Sequence, residues 1–247
     1  MNKKINNKKK IWLVTIAISA SFSTTANADY LKLYAPRVEK GERSVEADWN
    51  YSTDSDPTKD KYFSQVYGAE YGVTDYWMTE IGAEIEKENG DNMQLTNLKW
   101  ENVLVPFKPG ENFIDMGVYL ELEKAAHGDD PNHFEGKVLL EKDFGNWVNI
   151  VNVGASTEFG PNSTSGWDAS LAVHTGYRFT PEFQPGFEYY ADYGNTNTST
   201  SFSDQEHLFG PAIYGKLGHI KYDTGILFGI SDAAQDATAK LNLEYEF

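Results

Sequence analysis

From Arg43 to Phe247 apolar and polar residues alternate with a period of two, in about twelve segments separated by turn-forming residues. The cleanest segment runs from Trp167 to Phe179. Trp167, Ala169, Leu171, Val173, Thr175, Tyr177 and Phe179 fall on one face, and Asp168, Ser170, Ala172, His174, Gly176 and Arg178 on the other. A period of two is the signature of a strand, whose successive side chains point to opposite faces. Thirteen residues is about twice the ordinary strand length of five or six. The apolar face is aromatic at both ends and aliphatic between, as expected of a strand with lipid on one side and water on the other.

The same pattern predicts strands near Arg43–Ser52, Tyr62–Gly72, Tyr76–Lys87, Met93–Val105, Asn112–Lys124, Phe134–Lys142, Trp147–Phe159, Gly186–Gly194, Glu206–Gly215, Ile220–Ile230 and Lys240–Phe247. The fourth is blurred: Leu98, Trp100 and Leu104 form its apolar set, with Lys99 and Glu101 opposed. The tenth holds Pro211, which removes a ladder donor and is expected at a bulge. Short connections such as Val73–Asp75, Gly145–Asn146 and Lys216–Gly218 alternate with more polar, mostly longer ones such as Thr53–Asp60, Gly160–Gly166 and Asn195–Asp204. Outer-membrane barrels have short periplasmic turns and longer outer loops. The fold expected is an all-β, transmembrane, antiparallel up-and-down barrel of about twelve strands, with both termini periplasmic. A soluble β-sandwich also alternates. Strand length, the aromatic ends of the apolar faces and the terminal Phe247, in phase with Tyr245, Leu243 and Leu241, favour the barrel. A terminal aromatic closing such a strand resembles the signal read by the barrel-assembly machinery, an expected partner alongside outer-membrane lipid.

Residues 1–28 read as a targeting segment. Five lysines (Lys3, Lys4, Lys8, Lys9, Lys10) precede the apolar run Ile11–Ala20, and Ala26-Asn27-Ala28 offers a small-residue cleavage site. The run is half the length of about twenty residues that a spanning helix requires. The mature chain, 29–247, is then one barrel domain. Without the signal it carries 16 basic and 37 acidic residues, net −21. That balance argues against a nucleic-acid partner, which needs a basic face. The absence of cysteine removes thiol chemistry and cysteine metal sites.

Two segments carry a family resemblance: Glu39-Lys40-Gly41-Glu42 before the first strand, and Tyr71-Gly72-Val73-Thr74-Asp75-Tyr76-Trp77 at the second hairpin turn. They resemble a family of outer-membrane barrels regarded as transporters and associated with the meta-pathway of phenol degradation. The resemblance implies a barrel that moves small solutes and leaves the solute unspecified.

The face opposite the apolar one should line the interior. Its lumen candidates are Glu80, Glu84, Glu86, Asp115, Glu121, Glu123, Glu135, Lys137, Glu141, Glu158, Asp168, His174, Arg178, Lys221 and Asp223. Carboxylate rings attract cations into a pore, so a passive channel or transporter preferring cations is expected. A structural or surface-interacting barrel with a closed lumen is the alternative, and a membrane-embedded lipid hydrolase a further one. Ser170 and His174 share a face, but positions four apart on a strand lie about 13 Å apart, too far for a nucleophile–base bond. No catalytic residue, enzyme activity, cofactor or metal site is assigned. His174 is expected as a lumen or rim histidine near Arg178. His127, Asp129, Asp130 and His133 crowd one predicted outer loop without closed metal-ligand spacing.

Overall fold

The computed structural model describes residues 31–198 and 200–247; the expected targeting segment, 1–28, lies outside them. Twelve strands form a closed barrel in which every strand pairs antiparallel with its sequence neighbours and β1 with β12. They are β1 (Arg43–Thr53), β2 (Tyr62–Thr74), β3 (Trp77–Lys87), β4 (Gln94–Leu104), β5 (Asp115–Ala125), β6 (Asn132–Phe144), β7 (Trp147–Phe159), β8 (Asp168–Tyr177), β9 (Gln184–Asn195), β10 (Glu206–Leu217), β11 (Ile220–Gly229) and β12 (Ala237–Glu246). Each is 10 to 13 residues long, and about 9–11 tilted residues span a bilayer core. Among the described residues no helix is long and apolar enough to cross a membrane.

Closure follows from the ladder that joins the ends of the sequence. Ser44 lies opposite Glu246 and Thr53 opposite Ala237, so no strand edge is left unpaired. β1 therefore begins, and β12 ends, at the same end of the barrel. That end also carries the tight β6–β7 turn at Gly145-Asn146 and the β10–β11 turn at Gly218-His219.

Period two sorts the side chains as expected. Along β1, Ser44, Glu46, Asp48, Asn50 and Ser52 are buried, while Val45 and Tyr51 are exposed. In β4, Lys99 and Glu101 are buried and Leu98, Trp100 and Leu104 exposed. The wall is thus apolar outside and charged inside. Aromatic rings gather at the short-turn end of the outer face, where Trp147 and Tyr177 lie 5.3 Å apart and Tyr177 and Phe179 4.6 Å. Trp167 and Phe179 flank β8 rather than belonging to it.

Two expectations are corrected. Pro211 sits in an unshifted register: it faces Phe187 of β9, and pairing with β11 lapses at Gly210 and Pro211 and resumes in phase at Ala212. No bulge is needed, because Pro lacks only its own donor and the strands stay close. A Cβ at Gly210 would stand 2.0 Å from the Ile226 carbonyl oxygen. The register shifts instead between Gly72 and Thr74, Glu84 and Ile85, and Asp168 and Ser170. His133 belongs to β6, opposite Glu123 and Glu158, not to the loop holding His127.

Candidate functional site

The charged inner wall is the candidate site. Ten carboxylates are buried among the described residues (Glu46, Asp48, Glu80, Glu84, Glu101, Glu121, Glu123, Glu141, Glu188, Asp223) against three lysines, Lys99, Lys137 and Lys240. Burial of a charge is costly without a partner, so the lysines sit at the centres of clusters. Lys99 of β4 lies 3.0 Å from Glu121 and 3.1 Å from Glu123 on β5. Lys137 lies 2.9 Å from Glu135, two residues earlier on β6. Lys240 of β12 lies 2.7 Å from both Glu188 and Asp223, and its ammonium also donates to the Tyr190 hydroxyl at 2.8 Å.

Of the fifteen lumen candidates, Glu80, Glu84, Glu121, Glu123, Lys137, Glu141, His174 and Asp223 are buried. Glu86, Asp115, Glu135, Glu158, Asp168, Arg178 and Lys221 are half-buried. They do not form one centre. Arg178 pairs with Asp143 and lies 3.6 Å from Glu141, whereas Lys221 pairs with Glu42, Glu244 and Glu246. His174 has Glu188 and Tyr214 as neighbours: its Nδ1 is 3.6 Å from Glu188, and its ring is 4.2 Å from that of Tyr214. Ser170 donates to Glu135 at 3.5 Å, so it is directed to a carboxylate of another strand rather than to the histidine.

The residues whose place the sequence left open lie before β1. Leu31–Glu42 runs inside the barrel, from mid-barrel to the short-turn end, and bonds to opposite walls. The Leu31 carbonyl accepts from Tyr190 of β9 at 3.0 Å and from Lys240 of β12 at 3.2 Å. Lys32 pairs with Glu46 and Asp48 of β1. The Asn152 amide of β7 meets both backbone polar groups of Tyr34, accepting its N–H at 2.8 Å and donating to its carbonyl at 2.9 Å. The Tyr34 hydroxyl donates to Glu101 at 2.9 Å. Arg37 pairs with Glu141 of β6, its Nε donating at 3.0 Å. Gly41 and Glu42 extend the ladder onto Gly72 of β2. Burial alone would lower the Lys32 pKa, but the carboxylates around it, Glu46 and Asp48 foremost, raise it well above the usual lysine range.

Apolar packing adds to these contacts. Tyr34 joins Met78, Val103, Val105, Tyr119 and Leu139 in one inner cluster. Leu31 joins Ala172, Tyr190, Leu208, Leu227 and Ala234 in a second. Ala234 belongs to the β11–β12 loop, which reaches inward from the long-loop end. That loop is tied to the β1–β2 loop by Ser55 N–H to Asp236 at 2.9 Å and by Lys59 to the Asp232 carbonyl at 2.9 Å. The interior is therefore entered from both ends by chain segments that meet around Leu31. No local periodicity announces this, because Leu31–Glu42 carries no strand alternation of its own.

No protein-family model matches the chain, and no curated protein does. Among solved structures, an outer membrane channel from Pseudomonas putida F1 superposes with a TM-score of 0.63 at 13% identity, covering 85% of this chain and 97% of that one. The two chains share a fold. More distant barrels are the translocator domain of the autotransporter NalP from Neisseria meningitidis (TM-score 0.47, 11% identity, 85% of this chain and 89% of that one) and a triple-mutant porin from Rhodopseudomonas blastica (TM-score 0.31, 11% identity, 83% and 99%). Likeness at this identity is one of architecture. The resemblance to the phenol-degradation transporters is thus supported as far as an outer-membrane type of barrel, without a match to that family.

Proposed function

We propose that the mature chain resides in the bacterial outer membrane, with both termini periplasmic, and passes small solutes through its acidic lumen, cations ahead of anions. The observation that carries this reading is the excess of buried carboxylates over lysines on the inner wall. Such a field favours positive charge in a narrow aqueous path. The apolar outer face supports residence in lipid, and the strand ending at Phe247 suits recognition by the barrel-assembly machinery. A closed structural barrel is the second reading. It is favoured by Leu31–Glu42, whose bonds to β1, β4, β6, β7, β9 and β12 span the interior.

Single-channel recording separates the two. The refolded mature chain should conduct with a cation-selective reversal potential under a salt gradient, and Gln at Glu80, Glu84 and Glu121 should weaken that selectivity. Deleting residues 31–42 should raise the conductance several-fold. Silence of both the mature chain and the deletion variant would favour the closed barrel, and anion preference would sink the acidic-lumen argument.

A further inference from the structure

Carboxylates of Glu46, Glu70 and Glu80 converge in the short-turn half of the lumen, with one oxygen from each within 4.8 Å of the others. They come from three neighbouring strands. Glu70 of β2 lies directly opposite Glu80 of β3, and Glu46 of β1 lies opposite Gly68, two residues along β2 from Glu70. Gly68 provides the space: a Cβ there would stand 1.8 Å from Glu80 Oε1 and 2.9 Å from Glu46 Cγ.

Like-charged oxygens this close repel unless something positive lies between them. Lys32 supplies part of that charge, but it is bonded to Glu46 and Asp48. Glu80 is 1% exposed, and no donor among the described residues reaches either of its oxygens. A buried carboxylate directed into an acidic cluster without a donor is the independent sign of a ligand. The geometry points to a bound hard divalent cation of the calcium class, held by Glu46, Glu70 and Glu80. Carboxylate oxygens suit such ions. Calcium–oxygen distances of about 2.3–2.6 Å set oxygens on opposite sides of the ion about 4.8 Å apart, whereas the shorter magnesium distances fit a tighter set. Sequence spacing alone assigns no metal site. The cation site does not depend on whether the barrel conducts.

The test is calorimetric titration of calcium chloride into the refolded, chelator-treated mature chain in a lipopolysaccharide-free detergent. The wild type should bind with a dissociation constant below about 1 mM, as extracellular calcium modules do. Glu80→Gln and Glu70→Gln should each weaken binding at least tenfold, and Asp129→Asn in an outer loop should leave it unchanged. Glu70 is less buried, so E70Q decides the matter if E80Q fails to fold. Absence of saturable binding by the folded wild type would overturn the site and leave protons shared among the carboxyls. Wild-type affinity in the folded variants would also overturn it, placing the ion elsewhere.

Discussion

The buried charges around Lys240 and those around Glu80 lie in one lumen but are balanced differently. At Lys240 one ammonium faces Glu188 and Asp223, and the surplus charge is spread over hydroxyls. Tyr190 and Tyr214 donate to Glu188 at 3.1 and 2.6 Å, and Asn242 donates to Asp223 at 3.2 Å. At Glu80, three carboxylates meet with Lys32 at one side and no donor on Glu80 itself. A buried ion cluster is tolerated when hydrogen bonds satisfy the remaining lone pairs. By that criterion the first cluster is the better satisfied: among the described residues Asp223 keeps one oxygen without a donor, whereas both oxygens of Glu80 lack one. The difference teaches that a count of charges does not locate a site; the supply of donors does.

The largest expected effect breaks the better-satisfied cluster. Lys240→Met leaves Glu188 and Asp223 buried without their cation and should cost about 3–5 kcal/mol, read as a lower urea midpoint in detergent. Removing charge from the less satisfied cluster should have the opposite sign. In chelator, Glu80→Gln should gain about 1–3 kcal/mol, the scale of a buried group left without a partner. If both variants destabilise equally, the distinction between the clusters fails. A smaller effect is expected from Arg37→Ala, since the Arg37 side chain is half exposed. Glu141 is buried but keeps Arg178 at 3.6 Å, so the variant should lose about 1–2 kcal/mol while conductance rises. An unchanged conductance would mean that the Arg37 anchor does not restrict the lumen.

The smallest effect lies in the β1–β2 loop at the long-loop end. Asp56 accepts from the Thr58 backbone N–H and hydroxyl, both at 2.9 Å, and these bonds hold its pKa below the ordinary carboxylate value. A lowered pKa means stability present above the unfolded value of about 3.9 and lost as pH falls through the folded value. Amide exchange at Thr58 should therefore stay protected near pH 5 and weaken towards pH 3. Protection independent of pH over that range would show that the carboxylate does not hold the turn.

The strands and their faces were legible in the sequence because a period of two is a local property. Knowing that Glu84 and Ile81 lie on opposite faces requires only their positions. Even the blurred β4 sorted correctly, since Lys99 and Trp100 obey the same parity. Pro211 was misread because the bulge rule considers one strand, whereas the neighbouring strand's approach at Gly210 decides whether pairing can lapse in phase. Glu46, Glu70 and Glu80 were not legible as a group. They lie 24 and 10 residues apart along the chain, and only the registers of two ladders bring them together.

By itself the sequence determined twelve amphipathic strands, which faces are charged, and a surplus of acid on the inner one, because these depend on residue order and side-chain chemistry. The tertiary structure alone decided how that acid is partnered. Closure of β1 on β12 places Lys240 near the Leu31 carbonyl, 209 residues away, and it turns a short segment before the first strand into a strut across the lumen. Contacts of that range depend on barrel register and curvature, which no local pattern encodes.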